Sequence, residues 1–513
     1  MTDVRIITEA LGGSALSRAI QSGDAPSSWI ARAPSGLEGW RHHAARRAAE
    51  QDWRARWRRL APAFDARSAA RDRLERVIAA GGFAVTTGQQ AGLFGGPIYT
   101  LSKAVSAIAL ADALERMTGV PVAPVFWAAT DDADFAEASV TAVARRGGLE
   151  VLRSTNAPPP GTPMSLALLG DVTEQLARLA AASGSAADSR VLEAVREAYS
   201  GDAHTTVGGA FVHLLRALLE PLGMAVIDAS HEAVAGESRP TLARALDMAP
   251  EIERALAERT RSIRDVQFEP QVEDVKGLSL VFTREGSIKR RLGIGESGAT
   301  DAVLTPNVLL RPIVEHEILP TLCYVAGPGE LAYFAQVSAV AETLRFAPPV
   351  AVPRWSCTLV EPQVAALLAR LDTSERELAD PNALESRLAR AALDDDATKA
   401  LARLRSAIAA VPESLRATAE ALDLERAVQG AAGAMLHRAE RLERRFLAAV
   451  KRRETALMTD VATLRAALRP RGARQERVLS PVPILARHGM ALLDDMLVAA
   501  GRHAERIVAG TRR

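Results

Sequence analysis

Residues 83–97 read FAVTTGQQAGLFGGP, and this run decides the fold. Phe83–Thr87 is short, rich in β-branched and aromatic residues, and flanked by Gly82 and Gly88, which marks a strand. Four glycines, at 88, 92, 95 and 96, then fall within nine residues. A helical pattern opens near Ile98 or Tyr99. A strand passing through a glycine turn into a helix is the start of a βαβ unit.

Working outward, further strand candidates are Val120–Thr130, Met224–Asp228, Leu278–Thr283, Leu322–Ala326 and Val350–Arg354, each bounded by Gly, Pro or Asp. Helical patterns lie between them at Thr100–Met117, Val207–Leu222 and Leu331–Leu344. In the second, Phe211, Leu214, Leu215, Leu218 and Leu222 recur at three- and four-residue spacing, as on one helix face. The alternation predicts a doubly wound α/β core with a parallel sheet. Two stretches, about 145–200 and 249–300, read as insertions between core strands. The first carries Pro158-Pro159-Pro160-Gly161, and its 180–189 run reads as a loose surface loop.

At 513 residues the chain has room for more than one domain. The core occupies 1–361. From 362 to 468 the composition narrows to Ala, Leu, Arg, Glu and Asp, the signature of a helical arm, and 469–513 regains proline, glycine and apolar content as it returns to the core. Leu424–Leu468 has no proline. Its seam of Met435, Ala439, Leu442, Phe446, Val450, Leu457, Val461, Leu464 and Leu468 predicts one helix roughly 65–70 Å long, with a rung missing near Arg453. Asp380-Pro381 and Val411-Pro412 are expected to break the preceding stretch. So long a seam needs a partner, within a hairpin or in a second subunit, and a homodimer through the arm is the expectation.

Composition narrows the function classes. The chain is 48% hydrophobic and 24% charged, which is globular. Its 63 basic against 62 acidic residues argue against a nucleic-acid-coating role. No apolar run is long enough to span a membrane, and acidic and basic residues interrupt the first twenty, so a cytoplasmic protein is expected. Only five of the basic residues are lysine, at 103, 276, 289, 399 and 451, so arginine is the default cation.

Three clusters can carry chemistry. Gly88, Gly92, Gly95 and Gly96, with Gln89 and Gln90, let the backbone approach a ligand, and the following helix N-terminus favours an anion. The spacing is neither Walker A nor the Rossmann fingerprint, and a ligand-free β-to-α turn is the competing reading. Tyr99 opens that helix; Lys103, one turn in, can reach a phosphate or sit solvated. The second cluster is Asp131, Asp132 and Asp134, beyond a strand end, suited to an amine, a ribose or Mg²⁺, against helix capping as the alternative. The third runs from Asn307 through Arg311 to Gly327, Gly329 and Glu330. Arg311 can clamp a carboxylate or pair with Glu315 or Glu317. Cys323, Cys357 and His316 match no zinc spacing, so no zinc or other structural metal is expected.

Six blocks then resemble a known family: TTGQQAGLFGGPIYTLSK (86–103), PVFWAATDDADFAEA (124–138), VGGAFVHLLRALLEPLGMAVIDAS (207–230), TPNVLLRPIVEHEILPTLCYVAGPGELAYFAQ (305–336), VPRWSCTLVEP (352–362) and RGARQERVLSPVPILARHGMALLDDML (471–497). They are similar to the cysteine-adding family of bacillithiol biosynthesis, BshC, over nearly the whole chain. The resemblance implies a Rossmann-like core akin to class I aminoacyl-tRNA synthetases, connecting insertions and a dimerising coiled-coil arm. It implies a ligase joining cysteine to the amine of glucosaminyl-malate, with ATP activating the cysteine carboxylate as an adenylate. On that reading Gln89, Gln90, Asp131, Asp132 and Asp134 are catalytic. The glycine turn then holds phosphate, the acidic residues hold an ammonium, and Arg311 and Arg354 hold the malyl carboxylates. One departure stands out: the family's acidic motif usually reads Glu-Asp-His-Asp-Phe, and here Ala133 takes the histidine place. Neither ATP signature of class I synthetases is present. The alternatives are a non-catalytic nucleotide- or thiol-binding assembly protein and an amide ligase for another amino sugar.

Overall fold

The computed structural model describes residues 2–184, 189–273, 275–298, 302–380 and 382–511. Its central sheet has five strands: β1 Phe83–Gln90, β2 Val122–Ala129, β3 Ala225–Asp228, β4 Thr321–Ala326 and β5 Ala351–Pro353. They lie in the order β5-β4-β1-β2-β3, with every neighbouring pair parallel. The chain therefore lays β2 and β3 to one side of β1, then returns to the other side for β4 and β5. That reversal makes the carboxyl ends of β1 and β4 the switch point, where open α/β sheets hold ligands.

The sheet reads as apolar runs because it is covered. Trp57, Leu60 and Phe64, from the helix Trp53–Phe64, and Leu74 and Val77, from Ser68–Ala80, pack against Val125, Trp127 and Ile227. β1 continues three residues past the expected Thr87, through Gly88-Gln89-Gln90, paired with Trp127, Ala128 and Ala129. Gly88 is a close-approach glycine: a Cβ there would lie 2.8 Å from the Trp127 carbonyl oxygen.

The helices that matter for the cleft are α1 Ile98–Thr118, α2 Val207–Leu219, α3 Arg311–Ile318 and α4 Pro328–Thr343. α1 is buried on nearly every side, which explains its lack of a polar face. α2 buries Phe211, Leu214, Leu215 and Leu218 as its spacing requires, then passes into a 3₁₀ turn, Glu220–Leu222. One strand expectation is corrected. Leu278–Glu285 lies outside the central sheet, in a three-stranded antiparallel sheet with Ile288–Gly293 and Leu304–Pro306. The other insertion holds helices Thr173–Ser183 and Ser189–Tyr199, so residues 180–183 are helical rather than loop, and 185–188 fall outside the described residues.

Contacts divide the chain into two compact units: Met1–Val143, Val151–Val360 and Glu476–Arg513, and Ala144–Glu150 with Glu361–Gln475. The second unit thus runs past 468, and a short stretch near 147 belongs to it. Within it, α5 Asp395–Ser414 packs on α6 Glu425–Arg453, and α7 Thr455–Leu468 follows. The single long helix is corrected: Glu454, at φ −84° and ψ 56°, leaves helical geometry and divides it where the seam lacks a rung. Val411-Pro412 does not break α5, which carries Pro412 in its last turn and ends at Ser414. Pro381 lies outside the described residues. No helix among the described residues is long and apolar enough to cross a membrane.

Candidate active site

A cleft of about 760 Å³ opens over the carboxyl ends of β1 and β4. Gly88, Gln89 and Gln90 bring the end of β1 to it, and Tyr99 and Lys103 the first turns of α1. Asp131, Asp132 and Ala133 follow β2. Asn307 and Arg311 enter from the start of α3, and Gly327, Gly329 and Glu330 from the start of α4. Arg354 and Arg477 line it as well. The topology thus gathers residues from widely separated chain segments at one switch point.

A buried polar network forms its floor. The Lys103 ammonium, 4% exposed, donates to the Gly88 carbonyl at 2.7 Å and Gln89 Oε1 at 3.0 Å, and pairs with Glu330 Oε2 at 2.5 Å. Burial pulls its pKa below the ordinary lysine value, and Glu330 opposes that pull. Glu330 Oε2 also accepts the Gly327 N–H at 2.6 Å, and Oε1 accepts the Tyr324 hydroxyl at 2.5 Å. Burial would raise the Glu330 pKa, but Lys103, Arg311 and the Tyr324 hydroxyl outweigh it and hold the carboxyl below its usual range. The N-terminus of α4 therefore already carries an anion, the protein's own carboxylate. Arg311 pairs with Glu315 at 2.8 Å and donates to the Tyr324 and Tyr333 hydroxyls, each at 3.2 Å. Burial opposes its charge, yet the tyrosine and carboxylate partners keep its pKa well above the usual arginine value.

The acidic cluster separates into three roles. Asp131 is held by Lys289, whose ammonium meets its carbonyl at 2.9 Å and its carboxylate at 3.2 Å. Asp134 is exposed, lies outside the cleft lining and caps the short helix Phe135–Ala138 by accepting the Glu137 N–H at 3.1 Å. Asp132 is half-buried; its carboxylate accepts the Asp134 N–H at 2.9 Å and has no ion pair among the described residues. Burial, reinforced by Asp131, raises its pKa.

Several expected roles need correcting. Gly92, Gly95 and Gly96 do not line the cleft. They are buried, and the Tyr199 hydroxyl seals them, accepting the Gly95 N–H at 3.3 Å and donating to the Gly92 carbonyl at 3.2 Å. Asp134 is a helix cap. Arg311 and Arg354 line the cleft, but each guanidinium is already paired with a buried carboxylate, Glu315 or Glu476, with which a ligand carboxylate would have to compete. Lys103 is neither solvated nor free. Asn307 accepts the Leu309 and Leu310 N–H groups at 3.1 and 3.0 Å, ordering the turn into α3. Gln89 reaches the Tyr99 hydroxyl at 3.3 Å.

Lys289, Tyr324, Tyr333, Gln336, Glu476 and Arg477 were missed from the sequence. For Lys289 a signal existed: two of the chain's five lysines line this cleft, against an arginine background.

Comparison with known proteins points one way. The family profile "Bacillithiol biosynthesis BshC, N-terminal Rossmann-like domain" matches residues 41–300 and 294–355, and "Bacillithiol biosynthesis BshC, C-terminal coiled-coil domain" matches 357–506. A protein of Solibacter usitatus is 32% identical over 444 residues, covering 82% of each chain. One of Koribacter versatilis is 32% identical over 446 residues, again covering 82% of each, and one of Geobacillus thermodenitrificans is 26% identical over 464, covering 84% of this chain and 85% of its own. All three bear the name "Putative cysteine ligase BshC".

Proposed function

Because the chain belongs to the BshC family of bacillithiol biosynthesis, we propose that it joins cysteine to the amine of glucosaminyl-malate, the last step of bacillithiol formation. The observation that carries this reading is the cleft's charge pattern. Six cationic residues face three carboxylates around it, and Asp132 is the one carboxylate among them without an ion pair in the described residues. Such a cleft suits an anionic amino sugar whose amine must lose a proton.

In the proposed reaction the amine nitrogen attacks the activated cysteine carboxyl carbon. The N–C bond forms, the leaving group departs with its electron pair, and Asp132 takes the amine proton. Imidazole is absent at position 133, and a carboxylate whose pKa burial has raised is the better base for it. Lys289 neutralises Asp131 beside it. Lys103 and Glu330 fix Gln89 and the turn at Gly327 against the substrate.

A free carboxylate does not condense with an amine unaided, and ATP, with Mg²⁺, is the proposed activator. The far end of the glycine turn expected to cradle it does not fit, since the Gly95 N–H faces Tyr199 and the Gly92 carbonyl, and the Gly96 N–H the Leu93 carbonyl. That misfit also favours the second reading, a non-catalytic thiol-binding role. Incubating the purified chain with cysteine and glucosaminyl-malate, with and without Mg-ATP, separates them by mass spectrometry. Bacillithiol formation supports the ligase; its absence under both conditions sinks it. A cytoplasmic homodimer through the arm completes the proposal, supported by Met435, Leu442 and Phe446, which α6 leaves exposed.

A further inference from the structure

Four cleft cations already hold a carboxylate: Lys103 with Glu330, Lys289 with Asp131, Arg311 with Glu315 and Arg354 with Glu476. A ligand anion reaching any of them competes with a partner the protein has built in. A fifth, Arg291, donates Nε to the Ser279 carbonyl at 2.6 Å. Arg477 differs. Its side chain is exposed, it lines the cleft alongside Tyr99, and it has no ion pair among the described residues.

The backbone around Arg477 is fixed from both sides. Glu476, 2% exposed, takes both terminal nitrogens of Arg354, at 2.8 and 2.7 Å, and the Ser356 hydroxyl at 2.8 Å. Two residues on, the Leu479 carbonyl accepts the Ile98 N–H at 2.9 Å, and Ser480 N–H donates to the Ala142 carbonyl at 2.8 Å. An unpaired guanidinium on a pinned backbone suits bidentate capture of a planar carboxylate, because only the side chain's own rotamers remain to be ordered on binding.

We propose that Arg477 is the specificity residue of the cleft, taking a carboxylate of the acceptor and so selecting an amino sugar that carries an acid group. This rests on the function proposed above for the class of acceptor, and the test is therefore a binding measurement.

Calorimetry on the full chain would compare glucosaminyl-malate with methyl glucosaminide, which has the same amine and no carboxylate. The wild-type chain should favour glucosaminyl-malate. Arg477→Met should weaken that ligand about ten- to hundredfold, the range for a hydrogen bond to a charged group, and leave methyl glucosaminide unchanged. Arg477→Lys should recover part of the loss. An unchanged thermal unfolding midpoint in Arg477→Met checks the fold. Equal affinity of wild type and Arg477→Met for glucosaminyl-malate overturns the proposal, as does a wild-type chain with no preference or no binding. Failure to add cysteine would sink the ligase reading while Arg477-dependent binding stood. Bacillithiol made by Arg477→Met at wild-type KM would do the reverse.

Discussion

Arg354 and Glu476 stand 122 positions apart in the chain and meet as a two-pronged ion pair, both side chains 2% exposed. Removing one charge strands the other away from water. Glu476→Gln should cost about 3–5 kcal/mol of stability, read as a lower urea midpoint, while the double variant Arg354→Met/Glu476→Leu recovers most of it. A Glu476→Gln protein as stable as the parent would refute the pair's role.

Gly88 sits where β1 passes the Trp127 backbone, and a Cβ there would lie 2.8 Å from the carbonyl oxygen and 3.0 Å from Trp127 Cβ. Strand backbone cannot give way cheaply. Gly88→Ala should displace the β1 end and the Lys103 anchor with it. The expected result is a loss of turnover of at least tenfold together with about 1–3 kcal/mol of stability; full activity would exclude it.

Asp132 and Asp134 should respond differently to the same change. Asp132→Asn removes the proposed base and should abolish product. Asp134→Ala removes only a helix cap and should cost about 1 kcal/mol with turnover kept. The base acts as the carboxylate, so turnover falls as pH drops through its pKa. Burial first, then Asp131, places that pKa above the ordinary aspartate value, against the pull of the Asp134 N–H and Lys289. The acid limb of the rate profile should therefore lie above the ordinary aspartate range, and a limb at or below that range would contradict the base.

Gln336 is fully buried in α4, and its amide makes two hydrogen bonds with Val272, accepting the N–H at 3.1 Å and donating to the carbonyl at 2.8 Å. Gln271 and Val272 line the cleft. Gln336→Leu leaves both backbone groups without their partner and should raise KM severalfold with kcat nearly unchanged. Steady-state kinetics would show it, and an equal fall in kcat would contradict it.

On the arm, Met435, Leu442 and Phe446 are each 40–42% exposed, whereas Ala439 and Leu447 are buried. If that stripe holds a second subunit, Leu442→Glu/Phe446→Glu should halve the mass measured by light scattering. A chain monomeric before substitution removes the dimer from the proposal.

The parallel core was legible because β1, β2 and β4 are buried along most of their length and carry apolar stretches bounded by Gly, Pro or Asp. The glycine turn was misread for a reason no local pattern reveals: its ligand is Tyr199, 104 residues downstream of Gly95. The three adjacent aspartates look alike in sequence and were divided only by what approached each, a lysine from a distant hairpin, a backbone N–H and a helix start. Arg311 was open between ligand and Glu315 on spacing alone, and the helical i, i+4 geometry settled it for Glu315. The break at Glu454 was foreshadowed by the missing rung, because a seam that skips a turn gives the helix no apolar contact to continue it.

The order of synthesis acquires a meaning from the Arg354–Glu476 pair. Every strand of the central sheet has been synthesised once Pro353 is made, yet Glu476 and Arg477 follow only after the intervening 361–475 stretch. The strands of the sheet can therefore all be present while the cleft still lacks Arg477 from its wall. A chain released before Glu476 is made would leave Arg354 without its counter-charge.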